Sequence, residues 1–407
     1  MTFDKIYQYA FLLLSALWIP FPKLGGIGIA LFACVVIYGI AKQELKFEVK
    51  PLFLGFIVLY LLYVISVWQG SNLKSDLPFL EFKLSFVIFP LLFSFQPKQK
   101  MDRQKILNTY VIACTLLGLL YMFRACYLVF TTGQTQSFHS SWFAYNHHPS
   151  YVAAFFSLAI FYLLGTLEKL EGKIKMGVVL LILFLSLLHF PLESMAGILI
   201  LGSIFLYYFI RWSRHRITKK LLLASVITCI AFVISFLSFQ PGLRTDLQNT
   251  LQSTTTYTAN PQKFISNCPQ KMSGNQARLI LWTTSAQIIS EHPFGVGISG
   301  LDIEMSKRLH HLGFHELAAK HWNPHNQYLQ ITAELGWFGL VWLLAIILAL
   351  GRLAWQRKDL IFSFLIASFT INCLFESMLQ RQSGIVFYLL FLSAFIAIVN
   401  PPKPLKA

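Results

Sequence analysis

Two pairs of histidines stand four residues apart in the C-terminal half of the chain, His311 with His315 and His321 with His325, and the last opens the stretch HNQYLQITAELGWFGLVW. A spacing of four puts two side chains on one helix face, the arrangement by which a helix offers two imidazoles to a metal. A lone imidazole has a different use, because it titrates near neutrality and can take a proton from an attacking hydroxyl. HELAA, His315 to Ala319, lacks the second histidine of H-E-x-x-H, so a zinc protease is not expected and the metal-free reading is preferred. GVGISG, with Gly295, Gly297 and Gly300, spells G-x-G-x-x-G. It follows a helical pattern and His-Pro instead of a strand, so a tight turn is expected there and not a nucleotide site.

These residues sit in an apolar chain. Of 407 residues, 56% are hydrophobic and 12% charged, far from soluble-globular usage, which predicts an all-α polytopic integral membrane protein. The runs long enough to cross the hydrocarbon give about twelve transmembrane helices. They fall at 6–22, 24–41, 51–69, 79–95, 106–130, 150–167, 176–190, 195–210, 221–239, 326–350, 359–376 and 385–399. The seventh and eighth are separated at HFPLES, where proline and ionisable neighbours break a span. The N-terminal run lacks a small-x-small cleavage pattern and reads as a retained first helix.

Lys and Arg fix the orientation. With the N-terminus inside, the inner connections carry basic clusters such as Lys98, Lys100, Arg103 and Lys105, whereas the short outer connections carry Lys23, Lys74 and Arg381. The net charge of +16 is then topology plus affinity for anionic membrane lipids, with no reason to invoke nucleic acid. Five of the six cysteines fall in predicted spans and Cys268 in the long outer segment, so no disulfide framework is expected. In-membrane Lys83 and Arg124 need partners, Glu81 or a lipid head being the candidates.

The domain organisation follows from one asymmetry. Residues 1–239 read as nine N-terminal spans, 240–325 as one large extracytoplasmic loop, and 326–407 as three C-terminal spans. Every histidine except His215 falls at or near the outer face, where water-accessible chemistry is expected. Within the loop, TLQSTTTYTA, Thr250 to Ala259, reads as irregular. GNQARLILWTTSAQIISEHPFGVG reads as an amphipathic helix lying against the membrane surface, with Arg278 and Trp282 on one face.

ARLILWTTSAQIISEHPFGVGISG, followed by HNQYLQITAELGWFGLVWLLAII, resembles the core of the bacterial O-antigen ligase and polymerase family, integral-membrane glycosyltransferases that use polyprenyl-diphosphate-linked glycans. The likeness runs from about Arg244 to Leu348, and NHHPSY and ESMLQRQSGIVFY resemble the bacteroidete branch. It implies transfer of a glycan from a polyprenyl-diphosphate donor to a glycolipid or glycan acceptor, lipid A core favoured, at the periplasmic face of the bacterial inner membrane. No cofactor and no metal are implied.

Arg278 matches the arginine of the family's R-x-x-x-W stretch and is expected to neutralise the diphosphate, for which a charged, planar, bidentate guanidinium suits. Arg244 and Arg381 are expected as further contacts. His325 matches the histidine of H-N-x-x-L and is expected to take the acceptor's proton, at the mouth of a span because the acceptor sugar is in water and the donor in lipid. Asn326 either orients that imidazole or caps the helix. His148 and Tyr151 are expected to line the glycan path. Where many members carry a basic residue in the hairpin between the seventh and eighth spans, this chain has Met195. Polymerisation of repeats or glycosylation of a protein hydroxyl remain open, as does a transporter of lipid-linked glycans, against which no two-half repetition is visible.

Overall fold

The computed structural model describes residues 2–69, 73–213, 241–268, 272 and 274–398. The chain begins with α1 (Phe3–Trp18), α2 (Gly25–Ala41), a short strand β1 (Leu45–Phe47), α3 (Pro51–Ser66), α4 (Leu73–Lys83), α5 (Ser85–Ser94) and β2 (Phe95–Pro97). It continues with α6 (Arg103–Thr132), α7 (Ser140–Phe143), α8 (Pro149–Thr166), α9 (Gly172–Leu187), α10 (His189–Leu192) and α11 (Met195–Ser213). The long segment contributes α12 (Pro241–Ala259), α13 (Pro261–Asn267), α14 (Gly274–Glu291), α15 (Gly300–His311) and α16 (His315–Ala319). Helices α17 (Gln327–Gln356), α18 (Leu360–Phe375) and α19 (Gln382–Ala397) close the chain.

Among the described residues, 7 stretches are long and apolar enough to cross a membrane, and α3, α18 and α19 are shorter apolar helices. The protein is an all-α, multi-pass membrane protein. The expected span at 221–239 lies outside the described residues. The single sheet among them pairs β1 with β2 antiparallel, Leu45 opposite Pro97, which clips the connection after α2 to the end of α5.

Helix ends follow local chemistry. Asp102 accepts from the backbone of Gln104 at 2.8 Å and Lys105 at 3.3 Å to start α6, which ends at Gly133 in the left-handed region. Asp359 caps α18 through Phe362 N at 2.9 Å and also holds Arg103 through two bonds of 2.5 Å. Helices α8 and α19 are apolar all round and almost wholly buried, so they form the centre of the bundle.

A second, smaller core belongs to the long segment. Ala277, Ile280, Leu281, Ile288 and Ile289 of α14 bury against Leu301, Met305 and Leu309 of α15, Leu317 of α16 and Ala333 of α17. The apolar face expected to lie on the membrane is therefore covered by protein. The expected irregular stretch at 250–259 is helical. Its hydroxyls bond back into their own helix, Thr255 and Thr256 to Gln252 O at 2.9 and 2.8 Å and Thr258 to Thr255 O at 3.0 Å, so they do not compete with the helix for its backbone.

GVG serves a backbone contact. Val296 N donates to Ala333 O at 2.9 Å, Gly297 N to Glu334 O at 3.1 Å, and Trp337 N to Pro293 O at 3.2 Å. Helix α17 breaks to allow this, with Gly336 at φ 70° inside it. A β-carbon on Gly295 would lie 2.5 Å from Glu334 O, and one on Gly336 2.5 Å from the carbonyl carbon of Phe294. The two glycines let two backbones touch.

Candidate active site

His325 lies in the turn 320–326 between α16 and α17, outside any helix, with a left-handed backbone at φ 48°. Its amide donates to Asn323 Oδ1 at 2.9 Å, and the next residue, Asn326, caps α17 by accepting from Tyr328 N at 3.0 Å and Leu329 N at 3.1 Å. Trp282 fixes the turn from the side, its indole N–H donating to Pro324 O at 2.8 Å. Since Trp282 and Arg278 are one turn apart on α14, this bond also sets Arg278 beside the turn.

Glu376 is the group on which the turn converges. It ends α18 in extended backbone and is buried to 3% exposure. His325 Nδ1 lies 3.0 Å from Oε2 and 3.2 Å from Oε1, His148 Nε2 lies 3.5 Å from Oε2, and Ser377 N donates to Oε1 at 3.1 Å. Burial pushes the carboxyl up, but His148, the His325 hydrogen bond and the charge of Arg278 overcome it and leave it at about 2, below the ordinary 4.5. Glu376 is then a carboxylate, which can only accept. It follows that His325 presents its Nδ1 proton to the carboxylate, and Nε2 is the ring nitrogen left to face a substrate. Burial holds His148 down to about 4, so its ring is neutral near pH 7.

Arg278 is part-buried; Nη1 donates to Asn275 Oδ1 at 3.3 Å, and Nε has no hydrogen-bond partner among the described residues. Burial lowers its pKa and Glu376 opposes that. A guanidinium whose charge reaches the carboxylate that holds an imidazole can stabilise an oxyanion near the point where a proton is removed.

The other expected site residues fall as follows. The Tyr151 hydroxyl donates to Ser377 O at 3.3 Å, behind the Glu376 turn and fully buried. Arg381 is exposed at the N-terminal end of α19, and its charge reaches His148. Asn326 does not touch the imidazole: its side chain caps α17 and donates to Leu374 O at 3.2 Å. Arg244 lies on α12, and its side chain is outside the described residues. Met195 starts α11, beside a hairpin in which Glu193 pairs with His139 at 2.8 Å.

Neither histidine pair shares a helix face. His311 ends α15 and His315 begins α16, so the rings that meet are His310 and His315, with centroids 4.4 Å apart. His321 turns to Asp302 at 3.0 Å while His325 turns to Glu376. Among the described residues no three or more His, Cys, Asp or Glu side chains are grouped to hold a metal ion. Lys83 is served by the Leu379 carbonyl and not by Glu81, and Arg124 by Trp142 O at 2.7 Å and the Tyr145 ring.

Sequence reasoning passed over Glu376. The signal was present as a carboxylate directly after an apolar helix, an expensive place for a charge without a partner. Asn323 and the Trp282 bond have no comparable signal.

Residues 179–344 match the family model of the O-antigen ligases. No curated protein sequence matches the chain. The matched stretch holds Arg278 and His325, while His148, Glu376 and Arg381 lie outside it. Over that stretch the chain is similar to the O-antigen ligases, and its apolar helices make it a multi-pass membrane protein.

Proposed function

We propose that this enzyme moves a glycan from a polyprenyl-diphosphate carrier onto an acceptor hydroxyl at the periplasmic face of the inner membrane. The arrangement that supports the reading is His325 held at the buried Glu376 carboxylate, on which the charge of Arg278 acts from a second element. The acceptor oxygen attacks the anomeric carbon of the donor sugar, and its proton passes to Nε2 of His325. The bond between that carbon and the diphosphate oxygen breaks, leaving its electron pair on the diphosphate, where Arg278 faces the growing charge. Glu376 keeps Nδ1 protonated before transfer and stabilises the imidazolium after it, the part a carboxylate plays beside histidine in hydrolytic triads.

Residues of this chain supply each of these steps, so the reading needs neither nucleotide nor metal. Among the described residues near Glu376, Arg381 is the second cation able to reach a diphosphate, and it offsets the absence of a base at Met195. Lipid A core is the favoured acceptor. The test is purified protein with a polyprenyl-diphosphate glycan and an acceptor, read as release of the carrier diphosphate. Arg278→Ala and His325→Ala should each abolish release while the protein still inserts in the membrane; near-normal release by both variants defeats the assignment. The polysaccharide ladder of a deletion strain distinguishes the acceptors: loss of all polymer from the core indicates a ligase, and a single remaining repeat a polymerase.

A further inference from the structure

The stretch that carries Glu376 leaves α18 and runs without regular structure to α19, yet Glu376, Ser377, Met378 and Leu379 are buried. Irregular backbone at such a place must find all its partners inside the protein. One of them comes from a charged side chain on a membrane helix, and a second charged side chain holds the turn through a glutamine. Lys83, at the end of α4 and 1% exposed, donates to Leu379 O at 2.9 Å, and its ammonium stands 4.3 Å from the centre of the Tyr63 ring. Glu334 on α17, also 1% exposed, accepts from Gln380 Nε2 at 2.7 Å and Gln330 Nε2 at 2.6 Å, and its charge acts on Lys83. Gln327 accepts from Leu379 N at 2.6 Å, and Gln330 accepts from Ser377 Oγ at 3.4 Å.

Two charged side chains buried inside a membrane helix bundle are costly where apolar residues would fill the space, and they persist when a geometry depends on them. We propose that Lys83 and Glu334 are a positioning pair for glycan transfer, holding the turn 376–380 at the height where the Glu376 carboxylate meets His325. Neither side chain touches substrate. The pair acts through the turn, Lys83 by its carbonyl and Glu334 by its glutamine. The inference rests on the role proposed above for His325.

The experiment compares Lys83→Met, Lys83→Arg and Glu334→Gln with the unaltered protein, each alone and combined with Glu376→Gln, measuring kcat and KM for carrier release. Misplacing a catalytic group by an ångström costs about a hundredfold, so Lys83→Met should lower kcat by about that factor and leave KM unchanged. Lys83→Arg, which keeps a donor and the charge, should recover most of the loss. In the Glu376→Gln background, Lys83→Met and Glu334→Gln should cost nothing further, because residues acting through one group are not additive. Amide exchange at 377–380 should quicken in Lys83→Met. Full kcat in Lys83→Met, or losses that multiply with Glu376→Gln, overturns the proposal. If Lys83→Met fails to insert, Lys83→Arg and Glu334→Gln carry the same comparison. If the unaltered protein releases no carrier, the functional reading fails, and unchanged exchange in the variants then refutes the positioning role independently.

Discussion

Glu376→Gln is the substitution that most directly probes the site, because it keeps size and removes charge. A fall from 4.5 to about 2 corresponds to about 3 kcal/mol of preference for the carboxylate over the acid at this position. Part of that belongs to the bond from His325 Nδ1, a hydrogen bond to a charged group worth roughly 1.5–3 kcal/mol. Lost from the transition state alone, it slows transfer by roughly tenfold to a hundredfold. Glutamine adds a second injury, since its amide can turn and donate to Nδ1, which moves the ring proton to Nε2 and removes the base. The expected result is a kcat lower by at least about a hundredfold with little change in donor KM, the signature of an interaction made in the transition state. Single-turnover release of carrier diphosphate from purified protein measures it. A variant working within about threefold of the unaltered rate would show that the carboxylate does not assist His325 and refute the reasoning.

Arg278→Lys should retain more activity than Arg278→Ala but fall well short of the unaltered enzyme, as an ammonium cannot bind two oxygens in a fork; relative kcat/KM of the three proteins decides it. Trp282→Phe, which removes the bond to Pro324 O, should cost about 1 kcal/mol of stability, together with a larger loss in kcat than in KM, read by thermal unfolding in detergent alongside the release assay. For Glu376 the folded value is depressed, so its stabilisation is complete above pH 4.5 and fades as pH falls toward about 2; the stability difference between the unaltered protein and Glu376→Gln should shrink across that window. His148, also depressed, binds its proton more readily unfolded, so stability should fall as pH drops from 6.5 toward about 4, less steeply in His148→Gln.

The membrane helices were legible because apolar length is a local signal: ten of the expected spans each fall on one described helix, and 79–95 runs across α4 and α5. Arg278 and His325 were legible as residue types in a recognisable order. What joins them was not. Glu376 is 51 positions from His325 in sequence, and no periodicity links the end of α18 to a turn before α17. The expectation of helical histidine pairs failed for a related reason: Gly313 and the left-handed residues at 321 and 325 break the run, and spacing by four has meaning only along a continuous helix. The threonine-rich stretch misled because composition alone does not reveal hydroxyls that bond inward.

The break at Gly336 has a practical corollary. Residues 327–335 send Leu329 and Ala333 into the core of the long segment and Ile331 and Leu335 into that of the bundle, so this short piece of helix is mortar between two masonries. Anyone grafting the long segment onto a sister protein should therefore cut below Gly336, since a seam placed at His325 would separate Pro293 to Gly297 from the helical step on which they stand.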